Sequence, residues 1–366
     1  MRFSSVVKCR ILASTGTKIG SIVRRMTLTI SDGTMKRYKL VEPKKIVVEE
    51  VEMPKPSSGQ SLIEVKACGI CGTDIHAYDG KHPFISTPIV LGHEFSGVQT
   101  ETGAHVVVEP SLVCGKCYNC RTGRYNICNT LKVIGCQSDG AFAEYIAVPT
   151  NKVFRIPKEM SFEEAALVEP AAVGVHAARQ AGIRQQDRIV IFGAGPIGLM
   201  TLQASKGLGA GEVVVADFSK GRLELAKQLG ADHAVDVAET DLVKWVQKNF
   251  GPDGIDKVLE CVGGSQQTTL KQAIELARKG TRITVVGVFP GSIPIEMSLL
   301  QDREIELVGS LMYSGEDFPT AIDLIHRGKI DAKRLISRVF PMERITEAFE
   351  LLEREREGII KIVLKQ

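Results

Sequence analysis

Residues 188–198, RIVIFGAGPIG, decide the fold of this chain. An apolar, β-branched run leads into Gly193, Gly195 and Gly198, and helix-forming sequence continues through Lys206. The first glycine allows a tight turn, the second lets backbone approach a pyrophosphate, and the third lets helix and strand pack closely. Pro196 and Ile197 open the helix, where free N–H groups and the positive end of the helix dipole suit phosphate oxygens. Asp217 ends the next strand candidate, 19 residues after Gly198, where a carboxylate can accept from ribose hydroxyls. It would also repel a 2′-phosphate, which favours NAD over NADP, while Lys220 and Arg222 follow closely as cations able to meet a phosphate.

The same alternation continues downstream. EVVVADF leads into SKGRLELAKQLG, and KVLECVGG into QQTTLKQAIELARKG, with TRITVVGVF and EIELVGSLM as further strands. Strands alternating with helix-period segments predict an α/β fold, a doubly wound parallel sheet over residues 186–313. Upstream, KIVVEEVEM, SLIEVKA, AHVVVEP, AEYIAV and NKVFRIP are short alternating or β-branched runs between turn residues. They predict a mainly β domain over residues 35–185. After Tyr313, two helical stretches precede GIIKIVLK, a closing strand expected to bring residues 314–366 back to the first domain.

At 366 residues the chain is long enough for two domains, and 44% hydrophobic with 24% charged residues describes a globular protein with ample core. No apolar run approaches the roughly 18 residues that would span a bilayer, so no membrane partner is expected. The net charge of +3 is carried by the start of the chain: the first 34 residues hold six basic residues against Asp32, and the remainder is slightly acidic. That body has no basic face to suggest nucleic acid as a partner. The segment 1–34 has the composition of an organellar transit peptide, but the expectation adopted is a disordered tail or an upstream start codon, with cytoplasmic placement.

The cysteines are not spread as a disulfide framework. Cys114, Cys117, Cys120 and Cys128 fall within residues 110–130, and four thiolates so spaced can close a tetrahedral structural zinc site. A second set is CGTDIH followed by GHE. Cys71, His93 and either Glu94 or Glu169 can hold another zinc and leave a position open for water or substrate, the arrangement of a catalytic site.

Together these pieces resemble the zinc-containing medium-chain dehydrogenases/reductases. The matching motifs are CGICGTDIH, GHEFSG, the cysteine lobe, DGAFAEY, ALVEPAAVGVHA, GAGPIG and the closing strand, and they span nearly everything from Met35 onward. The resemblance implies a GroES-like catalytic domain around a Rossmann domain, two zinc ions per chain, NAD, and a homodimer or homotetramer. It makes Cys71 and His93 ligands of the catalytic zinc, with Asp74 orienting His93. It gives Thr73 and His76 a proton relay to solvent. Alcohol dehydrogenases of this family carry a Cys where this chain has Glu169, and Glu there is similar to the sorbitol, butanediol and sugar-acid branch.

One departure stands out: relatives carry a longer segment between GHEFSG and VVVEP, with a glycine-rich turn and a GDRV-like strand start. Here only Val98 to His105 intervene, which puts the local strand pairing in question.

The expected function is zinc- and NAD-dependent oxidation of a secondary hydroxyl of a polyol, diol or sugar acid to a ketone. L-Threonine 3-dehydrogenase or a simple alcohol dehydrogenase is the alternative within enzymes. A catalytically silent, NADH-binding regulatory relative is the alternative of another class.

Overall fold

The computed structural model of the protein describes residues 33–264, 268–355 and 357–366. The expectations for the basic leader fall almost entirely outside that set. Six strands form one wholly parallel sheet in the spatial order His233–Asp236, Val213–Asp217, Ile189–Phe192, Lys257–Glu260, Arg282–Val285, Glu306–Gly309. The chain builds outward first to one side of Ile189–Phe192 and then to the other. That reversal, beside the GAGPIG turn, is where such sheets take their ligands. Ile189 and Ile191 pack into one core cluster and Val190 and Phe192 into another, so this short strand is apolar on both faces because both are covered. The doubly wound sheet is as the alternating sequence predicts.

The β part is organised by Gln60–Ile70, which pairs antiparallel with Glu94–Gln99, Tyr145–Pro149 and Lys361–Lys365. Its side chains alternate between buried and partly exposed until Cys68, after which all are buried. The helix Gly72–Tyr78 follows directly. The strand Lys361–Lys365 therefore returns across the whole chain to sit beside residues 67–70. It also pairs in parallel with Ile336–Pro341, a strand not foreseen, because ISRVFP is half exposed and shows no clean alternation.

The abbreviated segment closes without loss of pairing. Glu94–Gln99 and Ala104–Val108 run antiparallel through Ser96↔Val107 to Gln99↔Ala104, and residues 100–103 make the turn with Gly103 at φ +68°.

The helix Val168–Ala181 links the two parts. Its small residues let it approach the helix Pro196–Gly207 at backbone contact: a Cβ on Gly174 would lie 2.8 Å from the carbonyl carbon of Met200. The helix Asp317–His326 packs against it as well, and Asp317 is the polar hub of that junction. Its Oδ2 accepts from His176 Nδ1 at 2.7 Å and from the Ser314 N–H at 2.8 Å, and its Oδ1 from Arg179 at 2.7 Å. Burial pushes this carboxyl up, but the His176 and Ser314 bonds and the Arg179 charge outweigh it and hold the pKa below the ordinary value of 3.8.

A carboxylate so depressed contributes stability above its unfolded pKa and loses it as the pH falls through the folded one. Asp317→Asn is expected to cost about 2–3 kcal/mol at pH 7, the scale of buried hydrogen bonds to a charge. The difference between variant and wild type should shrink once the pH drops below 3.8, as urea midpoints at the two pH values would report. A penalty independent of pH would mean that shape, not charge, holds the junction.

Candidate active site

Cys71 caps the helix Gly72–Tyr78, with extended φ and ψ, and its N–H donates to Asp74 Oδ2 at 2.8 Å. Asp74 is fully buried, and its other oxygen accepts from the Gly92 N–H at 3.3 Å and faces His93 Nδ1 at 3.6 Å. One carboxylate thus fixes both the cysteine turn and the histidine strand. His93 Nδ1 makes no hydrogen bond, and with that nitrogen turned to Asp74 it is Nε2 that remains for a ligand.

Cys71, His93 and Glu94 each offer a donor atom, and these atoms all lie within 4.8 Å of one another. Glu169, the other carboxylate expected here, stands outside that group. Burial opposes the charged form of His93, yet Asp74 and Cys71 outweigh it and hold the imidazole well above its ordinary pKa. A pocket of negative donors that draws a proton this strongly is suited to a cation, so the residues present fit zinc.

Glu94 does not reach the donor group unescorted. It is 1% exposed, and both its oxygens accept from Lys361 Nζ, at 2.7 and 2.8 Å, while Nζ also donates to the Ile70 carbonyl at 3.2 Å. Burial pulls the lysine down, but Glu94 outweighs it and the pKa is pushed up to about 12. Glu169 lies in the first turn of Val168–Ala181, where Tyr313 donates to its Oε1 at 2.8 Å. Burial raises this carboxyl to about 7, with the neighbouring Glu94 adding to the effect.

Thr73 and His76 are three residues apart on the helix Gly72–Tyr78, the first half-buried and the second exposed. Cys136, which carried no role in the sequence, is buried in the turn after residue 133, and burial pushes its thiol up.

The second donor set is tighter. Cys117 and Cys120 lie 3.5 Å apart, as do Cys114 and Cys128, and the Cys114–Cys120 and Cys117–Cys128 separations are 3.9 Å. Four sulfurs about 2.3 Å from a tetrahedral zinc stand about 3.8 Å apart, whereas a disulfide would bring two to roughly 2 Å. The N–H groups of Cys114 and Thr130 both point at the Cys128 sulfur, and they lower its pKa to about 6, the thiolate a metal needs.

At the nucleotide end, Gly193 has φ +92°, and a Cβ on Gly198 would lie 1.9 Å from the Gly193 carbonyl oxygen, so the helix can meet the strand only as glycine. Gly195 caps the helix Pro196–Gly207, leaving Pro196 and Ile197 in its first turn. Asp217 accepts from the Ala194 N–H at 2.7 Å and the Ser219 N–H at 2.8 Å, and a carboxylate with about four acceptor sites keeps capacity for ribose hydroxyls. Arg222 extends from the next helix toward Gly195 and donates to the Glu357 carbonyl at 3.2 Å.

The family model described as "Alcohol dehydrogenase GroES-like domain" matches residues 57–158, and that described as "Zinc-binding dehydrogenase" matches 196–327. Sorbitol dehydrogenase of Bacillus subtilis is 33% identical over 353 residues, covering 93% of this chain and 99% of its own. The chain belongs to the zinc-binding alcohol dehydrogenase family. The dehydrogenase is also 34% identical to L-threonine 3-dehydrogenase of Pyrococcus horikoshii, over 86% of this chain and 94% of that one. Among solved structures, the rspB alcohol dehydrogenase of Escherichia coli CFT073, complexed with cofactor NADH, superposes with a TM-score of 0.86 at 31% identity. That match covers 91% of this chain and all of the other.

The dehydrogenase is thus an oxidoreductase acting on small-molecule alcohols with zinc and a nicotinamide cofactor. Among its described residues no helix is long and apolar enough to cross a membrane. Of the residues beside these donor groups, Lys361 and Tyr313 were given no role from the sequence. Lys361 had one available signal, a lone cation within the apolar closing strand IIKIVL, where burial would require a counter-charge.

Proposed function

We propose that the dehydrogenase oxidises a secondary hydroxyl of a polyol, vicinal diol or sugar acid to a ketone, using NAD and two zinc ions per chain. The observation that carries this is the Cys71–His93–Glu94 donor group, three protein ligands in a pocket that keeps two further polar groups, Glu169 and Tyr313, beside it. Three ligands leave an exchangeable position, in contrast to the closed cysteine lobe. When bound, zinc supplies Lewis acidity toward the substrate hydroxyl and NAD supplies the hydride acceptor.

The protein's own residues do the rest. Asp74 holds Cys71 and His93 in place, and Lys361 fixes the direction of the Glu94 carboxylate by bonding both its oxygens. Glu169, with one oxygen held by the Tyr313 hydroxyl, keeps its other oxygen as an acceptor for a hydroxylated substrate, which suits a polyol better than a simple alcohol. Thr73 and His76 carry the hydroxyl proton outward along one helix face. Asp217, pinned by two backbone N–H groups, cannot swing away from a 2′-phosphate, which favours NAD. In this reading the cofactor is bound by the parallel-sheet part, residues 186–313, and the metal by the β part.

NADH formation from a panel of sorbitol, 2,3-butanediol, sugar acids, threonine and ethanol tests the reading on zinc-loaded enzyme. Polyol, diol or sugar-acid turnover with NAD exceeding that with NADP by about tenfold is expected, the scale of one like-charge repulsion. Turnover of threonine alone would overturn the substrate class, and turnover of none would overturn the enzyme reading.

A further inference from the structure

We propose that Tyr125 and Asn126, in the cysteine lobe, are positioning residues for substrate recognition: they hold both ends of residues 311–315 and so aim Tyr313 at Glu169. The inference rests on the reading above, in which Glu169 accepts from a substrate hydroxyl, and it gives the lobe a part in that step beyond its own fold.

Residues 310–316 link the strand Glu306–Gly309 to the helix Asp317–His326 without regular structure of their own, so their backbone groups need partners elsewhere. Two of those partners are neighbours in the lobe, on the turn Tyr125–Ile127 that precedes Cys128. Asn126 Nδ2 donates to the Leu311 carbonyl at 2.9 Å, and the Gly315 N–H donates to the Tyr125 hydroxyl oxygen at 2.9 Å. Tyr313 stands midway between those two bonds, 1% exposed, with its hydroxyl on Glu169. Asp317, which accepts from the Ser314 N–H, also holds His176 and Arg179 of the helix that carries Glu169. Both partners of the Tyr313–Glu169 bond are therefore tied into one frame.

The hold is stiff on the lobe side. The Gly315 N–H can only donate, so the proton of the Tyr125 hydroxyl goes to Glu109 Oε2, 3.0 Å away. Glu109 is buried and paired with Lys152 at 2.6 Å, and that Nζ also lies 4.3 Å from the centre of the Tyr125 ring. Because Glu109 directly follows the strand Ala104–Val108, the anchor is the β sheet rather than the surface of the lobe. The held segment is strained at the residue before Tyr313. Met312 has φ +52°, a left-handed conformation that costs a methionine about 1–3 kcal/mol and persists only where the surroundings impose it. The bonds at Leu311 and Gly315 bracket Met312 and supply that constraint, and the direction of the Tyr313 side chain depends on it.

The test compares wild type, Tyr125→Phe, Asn126→Ala, Tyr313→Phe and the double variant Tyr125→Phe/Tyr313→Phe, all zinc-loaded. The substrates are 2,3-butanediol, sorbitol and 2-butanol, the last lacking only the second hydroxyl of the diol. Tyr125→Phe and Asn126→Ala are each expected to raise KM for the diol or sorbitol about fivefold, the scale of one hydrogen bond. Values of kcat, zinc content and KM for 2-butanol should barely move. The double variant should be no worse than Tyr313→Phe alone, because Tyr125 acts through Tyr313. Calorimetric titration of the same alcohols into the NADH complex should give the same ranking without turnover. Losses that add in the double variant, that fall equally on 2-butanol, or that are absent would overturn the assignment. Asn126→Ala carries the comparison if Tyr125→Phe does not fold, and collapse of both, or loss of zinc from the lobe, would reduce the pair to a structural role. If the wild type binds a polyol but forms no NADH, the proposed reaction falls and the calorimetry alone decides the positioning role. If it binds no polyol, both fall.

Discussion

Cys71→Ser is expected to lower kcat/KM by about 10³-fold or more and to leave the folded enzyme with one zinc per chain instead of two. The size follows from what is lost: metal activation of the hydroxyl is worth several kcal/mol, and about 4 kcal/mol is a thousandfold in rate. The fold survives because the position is a helix cap, and serine is at least as good a cap as cysteine. Asp74 still accepts from the residue 71 N–H, since that bond uses backbone. The cysteine lobe shares no ligand with this site, so its zinc should remain. Metal analysis, thermal melting and the NADH assay on one preparation check all three parts. Loss of both zinc ions, or unaltered turnover, would remove Cys71 from the metal centre.

The second large effect concerns the lysine that escorts Glu94. Lys361→Met keeps the length of the side chain but leaves a carboxylate 1% exposed with no counter-charge. Breaking a buried pair from one side costs about 3–5 kcal/mol, because the remaining ion is stranded in a low dielectric. The full penalty should appear in the Cys71→Ser background, where the pocket lacks its metal. It should be smaller in zinc-loaded wild type, because the metal is a second cation for the same carboxylate. Adding Glu94→Gln should restore most of the loss by removing the stranded charge. Urea midpoints for the set test this; an identical penalty with and without zinc would show that Glu94 does not face the metal.

What was legible in the sequence follows from how far apart the cooperating residues lie. Gly193 to Gly198 announce their fold because turn, close packing and helix cap are all local requirements of one βα unit. The cysteine lobe is legible for the same reason, four ligands within residues 110–130. The catalytic set was legible only in part: Cys71, His93 and Glu94 stand in recognisable motifs, but the choice between Glu94 and Glu169 depends on where the helix Val168–Ala181 sits against the β part. Lys361 was legible only as a lone cation in an apolar strand and Tyr313 not at all, since their partners are 267 and 144 residues away. The strand Ile336–Pro341 escaped because an exposed edge imposes no period on its side chains.

The pairing of Glu94 with Lys361 also sets an order of assembly during synthesis. The cysteine lobe is complete once Cys128 has emerged, and it can take up zinc while more than half of the chain is still to be made. The Cys71–His93–Glu94 pocket is different: its counter-charge arrives 267 residues after the carboxylate it neutralises, on the strand that closes the sheet beside residues 67–70. Until that strand docks, Glu94 has either water or a premature metal for company, and long-range pairing of this kind forms late. The four sulfurs of the cysteine lobe are therefore all present well before the Cys71–His93–Glu94 group meets its counter-charge.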